Sequence, residues 1–136
     1  MGDMSTFLRN ELRKHIFRTG SMTKPAALYI SIHAGDPGRT GANEVTGGSY
    51  ARVQRDPGDA NWSAPSDGAT DNVAAVTFPA PTGWTGAPLS ITHAGAWDAA
   101  VGGNFIGRAV FGSPKTVNNG DPAPSFAIGA LDFVFD

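Results

Sequence analysis

Cysteine is absent from this sequence, which excludes disulfides and thiolate metal sites and leaves stability to a hydrophobic core. Charge is scarce as well. Asp, Glu, Lys and Arg make up 16% of the 136 residues and the net charge is −2, an acidic balance that argues against nucleic acid as a partner. Long hydrophobic runs are also missing: none approaches the ~20 residues that span a bilayer, and Met1-Gly2-Asp3-Met4 leads into no signal-type apolar stretch. A soluble protein made in the cytoplasm, without a membrane partner, is the expectation. A chain of this length folds as one structural domain.

Turn formers are what the chain has in quantity. Eighteen glycines and ten prolines, about a fifth of the residues, point to short strands joined by tight turns and away from a helical bundle. Charge divides the chain unevenly. Residues 1–24 hold five of the ten basic residues (Arg9, Arg13, Lys14, Arg18, Lys24) beside Asp3 and Glu11, so they carry +3 and residues 25–136 carry −5. Within this basic segment Leu8, Leu12 and Ile16 recur at i, i+4 and i+8 after a capping Ser5 or Thr6 and before Gly20, which predicts one helix over about residues 6–18.

From residue 25 onward the pattern has period two. Strands are expected at 27–33, 49–54, 73–78, 89–98, 104–111, 115–117, 125–128 and 131–135. Leu28, Ile30 and Ile32 share one face, as do Leu131, Phe133 and Phe135, and these are the expected core, with Trp84 and Trp97 beside them. Asp98 closes a strand before the Gly102-Gly103 turn, and Asn118-Asn119-Gly120-Asp121 carries similar turn chemistry. The pattern predicts a mainly β fold, a jelly-roll-like antiparallel β-sandwich of seven or eight short strands over residues 25–136, with the basic helical segment 1–24 outside it. Residues 35–48 and 55–72 read as long surface loops.

Catalytic and metal-binding patterns are thin. Ser90, His93 and Asp98 resemble a hydrolase trio, but strand parity sends His93 to the face opposite Ser90 and Asp98. His33 and Asp36 lack a third ligand at diagnostic spacing, and Asp36 before Pro37 reads as a turn cap. Asp56, Asp59, Asp67, Asp71 and Asn72 offer oxygens for calcium without the spacing of a calcium loop, so a solvated acidic loop is the reading there. Gly47-Gly48 and Gly102-Gly103 sit in neither a P-loop nor a dinucleotide fingerprint. No catalytic residue, metal or cofactor is expected. Trp62 stands in a polar loop, either as a lid folded back on the sandwich, the preferred reading, or as a binding anchor.

The helix carries more information. Phe7 and Phe17 project away from the Leu8, Leu12, Ile16 stripe, and Phe7 lies between Lys14 and Arg18. A solvated basic face is the bland account of this pattern. The sharper account is a helix held between its own domain and a neighbouring subunit, with Phe7, Arg9, Arg13, Lys14 and Arg18 at the interface and Trp62 as a further contact.

The ordered string Asp36-Pro37-Gly38, Gly41-Ala42-Asn43-Glu44-Val45, Gly47-Gly48-Ser49-Tyr50-Ala51-Arg52, Val76-Thr77-Phe78-Pro79, Thr92-His93-Ala94-Gly95-Ala96-Trp97-Asp98 and Gly102-Gly103-Asn104 resembles a family of short tailed-phage virion proteins. The likeness runs on through Pro114-Lys115-Thr116-Val117, Gly120-Asp121 and Gly129-Ala130-Leu131. Proteins of that family are labelled as head-decoration or tail-fibre components. The resemblance implies a non-enzymatic sandwich, located in the virion after synthesis in the host bacterial cytoplasm, whose partners are the major capsid protein or other virion proteins, with homo-oligomers as an option. The expectation placed first is a capsid decoration or cement protein on the outside of the head. A tail-fibre or tail-tip module is the alternative, and a small carbohydrate-binding sandwich using Trp62 is the second alternative.

Overall fold

The computed structural model describes residues 4–135. In chain order its elements are α1 (Thr6–Phe17), β1 (Tyr29–His33), β2 (Val53–Gln54), β3 (Ala69–Asp71), β4 (Val76–Thr77), β5 (Leu89–Trp97), β6 (Phe105–Val117), β7 (Ser125–Phe126) and β8 (Asp132–Val134). Six strands form one antiparallel sheet in the order β2-β1-β5-β6-β8-β3, and β4 pairs with β7 in a second, two-stranded sheet. The protein is mainly β and sandwich-like, as expected. Its split of six strands against two is uneven, whereas a jelly roll divides eight strands between two sheets.

Alternation sets the central sheet. In β1, Ile30 and Ile32 point to one face, Ser31 and His33 to the other, and all four are fully buried, so both faces must be covered. Register carries this division across the sheet. Ile32 faces Ala94, which faces Ala109, which faces Phe133; on the reverse side Ser31 faces Gly95, which faces Arg108. The first row joins Val76, Phe78, Trp84, Ile91, Phe126 and Leu131 in one apolar cluster. Leu28 and Phe135, expected in the core, are only half-buried against it.

Three elements differ from expectation. Residues 104–111 and 115–117 belong to one strand, β6, yet their separation survives in the register: His93 pairs with Val110 and Ile91 with Lys115, so four residues of β6 bulge opposite Thr92 alone. The 55–72 stretch, expected to be loop throughout, ends in β3. Asp67 and Gly68 both take positive φ (54° and 80°) while Ser66 and Ala69 exchange backbone hydrogen bonds, which is a two-residue hairpin turn. The 35–48 loop does more than cover surface, because it buries Pro37 and Val45 and roofs the Ser31 face of the sheet.

The helix starts as its sequence predicts and ends differently. The Ser5 hydroxyl accepts from the Leu8 N–H at 3.0 Å, and the backbone N–H groups of Ser5 and Thr6 donate to Ile106 and Arg39 carbonyls, tying the first turn to β6 and the roof loop. The chain then leaves helical geometry at Arg18, in an extended conformation, with no role for Gly20 as a left-handed cap. The expected stripe is buried only in part: Leu8 is buried, Leu12 half-buried, and Ile16 is 67% exposed.

Candidate functional site

The roofed face of the sheet holds a hydrogen-bonded chain. Trp97 Nε1–H donates to Ser31 Oγ at 2.9 Å, Ser31 Oγ lies 2.7 Å from His33 Nε2, and His33 Nδ1 lies 2.7 Å from the Ala42 carbonyl. A carbonyl only accepts, so Nδ1 carries the proton; neutral His33 must then accept at Nε2, and Ser31 donates. Burial holds the His33 pKa down to about 4, which keeps the ring neutral. This is a Ser–His pair at catalytic distance, but both residues are fully buried and the hydroxyl is already engaged by Trp97. Sequence reasoning passed over Ser31. The signal was present in its i, i+2 spacing to His33 on one strand.

Two glycines let the roof close on this chain. A Cβ on Gly95 would lie 2.7 Å from His33 Nε2 and from Ser31 Oγ, and a Cβ on Gly41, at φ +82°, would lie 2.4 Å from the Trp97 ring. Asp36 is drawn onto the same face by an ion pair with the buried Arg108, and also accepts from the Gly38 N–H at 2.8 Å. Arg108 first, then that N–H, hold the Asp36 carboxyl below the usual carboxylate range. His33 and Asp36 therefore have partners within the fold, and Asp36 caps its turn as expected.

Tyr50 and Arg52, expected side by side, converge on Glu44. The Tyr50 hydroxyl donates to Glu44 Oε2 at 2.9 Å, and Arg52 clasps both Glu44 oxygens at 2.8 Å each. The remaining Arg52 amine donates to the Ala99 and Gly102 carbonyls, and the guanidinium lies 3.8 Å from the Trp97 ring centre. Burial and then Glu44 push the Tyr50 hydroxyl above its ordinary pKa, so it stays a donor. Every arm of this guanidinium is used. The cluster locks the 98–104 hairpin to the roof loop and lines a hollow of about 360 Å³ between them.

Ser90, His93 and Asp98 do not meet. Ser90 pairs with Thr116 at one end of β5, and Asp98, beyond the other end, accepts from the Asn104 N–H at 2.6 Å. Eight residue steps along the strand separate them, about 26 Å at ~3.3 Å per residue. His93 is hydrogen-bonded to the Thr92 hydroxyl at 2.7 Å.

The acidic loop does not converge on a cation either. Asn72 is buried, with its amide donating to the Ala74 and Ala127 carbonyls and its oxygen accepting from the Leu131 N–H. Asp71 faces Asp132 across β3 and β8, and Asp56 accepts from Gln54. Among the described residues no group of three or more His, Cys, Asp or Glu side chains could hold a metal ion. Trp62 folds back as the lid reading expects, edge-on to Phe133 at 5.7 Å, with Nε1 donating to the Arg55 carbonyl.

Two hollows hold all but Arg9 of the remaining predicted contact residues. On α1, Phe7, Arg13, Lys14, Phe17 and Arg18 line one hollow of about 630 Å³, which places Phe7 beside Lys14 and Arg18 as expected. Phe7 is half-buried and packs on its own core, while Phe17 is 80% exposed. Lys14 pairs with Glu11, and Arg9 and Arg13 line a smaller hollow with Arg39. Trp62 stands apart from this cluster, in a second groove with Leu28, Phe133 and Phe135.

The described residues form a curled antiparallel sheet whose buried Ser31, His33 and Arg108 side chains are bonded within the fold, with a basic helix on its surface. The particular family follows from comparison. The chain matches the family of Podophage GP4 fiber I protein gp80 over residues 3–134 and belongs to it, a family of short-tailed phage virion structural proteins. Curated proteins gave no match.

Proposed function

We propose that this chain is a non-enzymatic fibre subunit, held in the particle by contacts that α1 makes with neighbouring subunits. The match to a fibre family over nearly the whole chain carries the reading. The exposed Phe17 and the basic side chains around it support α1 as the contact surface. The buried Ser31–His33 pair is sealed from solvent, and the Arg52 guanidinium is taken up by Glu44 and by the Ala99 and Gly102 carbonyls, which also favours a structural role. The Trp62 groove is poorly suited to sugar, since Thr70 is the one polar side chain lining it.

Localisation on purified particles is the test. Labelled protein at the tail in a few copies per particle supports the fibre reading. Tens of copies or more spread over the head would transfer the protein to capsid decoration, and absence from the particle would defeat both. Reversing Lys14 and Arg18 to Glu should abolish incorporation while leaving the fold intact, because both side chains sit on the surface, where substitutions change stability by roughly 0.5 kcal/mol or less.

A further inference from the structure

The end of α1 and the Trp62 groove complement each other. Ile16 and Phe17 are the exposed apolar pair at the end of α1, within residues 6–18, which carry four basic residues against Glu11 and so a net +3. The groove on the sheet domain, about 360 Å³ and lined by Leu28, Trp62, Pro65, Thr70, Phe133 and Phe135, is almost wholly apolar. One of its walls comes from Trp62, Pro65, Gly68 and Thr70, within the segment 55–72 whose Asp56, Asp59, Asp67 and Asp71 outweigh Arg55 for a net −3. An exposed apolar pair on a basic helix (the plug) and an apolar groove flanked by an acidic segment (the socket) match in apolar character and are opposite in charge.

The two cannot join within one chain, because the first turn of α1 is tied to β6 and the roof loop by Ser5, Thr6 and the buried Leu8. We propose that the socket takes α1 of a second copy of this chain, with Ile16 and Phe17 seated on Trp62 and Phe133 and with Arg13, Lys14 and Arg18 facing the acidic segment. This rests on the reading of α1 as a contact surface and names its partner. The contact is heterologous: each copy offers a plug and a socket, so repetition closes a ring or builds a filament.

Sedimentation of the purified full chain over rising concentration tests this. The wild-type chain should self-associate, more weakly as salt screens the charges. Phe17→Ser and Thr70→Arg should each weaken association about tenfold or more. Leu28→Arg replaces Thr70→Arg if circular dichroism shows that variant unfolded. Mixing the Phe17→Ser chain with the socket variant should restore one plug and one socket and give a heterodimer that grows no further. A wild-type chain that stays monomeric at every concentration, association indifferent to both socket variants, or a mixture without heterodimer each overturns the proposal. If α1 is still required for incorporation into particles in that event, the reading of α1 as a contact surface stands and its partner is a different virion protein.

Discussion

On one face of the central sheet Ile30, Ile32, Ala94 and Ala109 join a cluster with Phe78 and Trp84; on the other, Ser31, His33, Gly95 and Arg108 lie under a loop that supplies Ala42 and Asp36 as partners. Both faces are buried, and they are held by different physics. Apolar packing is non-directional, so the first face tolerates exchanges that conserve volume. Buried polar groups stabilise only when every donor and acceptor is met, so the second face depends on the exact path of residues 35–48. A glycine-rich, strandless roof loop thus becomes as much a part of the interior as a strand.

The sharpest way to break the comparison is to remove one member of the polar lock. Arg52 and Glu44 have 7% and 17% side-chain exposure, and Arg52→Ala leaves a largely buried carboxylate without its cation and with Tyr50 as its remaining donor, at a cost of about 3 kcal/mol. Ile32→Ala on the apolar face is expected in a similar range, about 2–5 kcal/mol. Urea melts of the two variants at different salt concentrations should separate them, because only Arg52→Ala removes a charge pair.

Acid should separate the faces next. The folded pKa of His33 is depressed to about 4 from an ordinary 6.5, so the unfolded chain binds the extra proton first. The stability this burial confers is complete above the unfolded value and falls as pH drops from 6.5 toward 4, by roughly 3 kcal/mol in all. His33→Gln should be less stable at neutral pH yet lose the slope across that window. An unchanged slope would assign it to another group. Gly95→Ala should follow at about 1–3 kcal/mol, through overpacking against Ser31 and His33, and a neutral result would show that the roof yields.

Much of the sheet was legible because alternation is a local signal. Ile30 and Ile32 declared their face, and Trp84 and Trp97 are buried as read. β3 was missed although Asp67-Gly68 is a strong hairpin signal, because three residues, Ala69 to Asp71, become a strand only by pairing with β8 some sixty positions later. The Glu44 cluster was half visible: Tyr50 and Arg52 share a face, but nothing local shows that Glu44 and the 99–102 carbonyls meet them. The helix stripe misled in its second half. Periodicity reports which side chains align, and the anchors at Ser5 and Thr6 decide which of them reach the sheet.

The smallest expected effect lies at the sheet edge, where neither face rules. Asp71 and Asp132 are direct partners in the β3–β8 register, and like charges placed opposite each other destabilise a pair. Slight desolvation at the strand pair and then the facing Asp71 raise the pKa of the exposed Asp132, so the folded chain holds its proton more tightly than the unfolded chain. The sign follows from linkage: this site favours folding most below the ordinary carboxylate range, and that contribution is lost as pH rises through the folded value. Asp132→Asn should therefore stabilise the protein at neutral pH, by about 0.5 kcal/mol or less, and should leave it nearly unchanged in acid, where the wild-type carboxyl is already protonated. Hydrogen exchange at the β3 amides is the sensitive measure, since β3 is the last strand of the sheet, paired with β8 and tied on its other side by nearby loop residues, Ser66 at Ala69 and Ser63 at Asp71. Slower exchange at neutral pH in the Asn variant would show that repulsion loosens this wall of the Trp62 groove, and exchange equal to wild type would show that solvent already screens the pair.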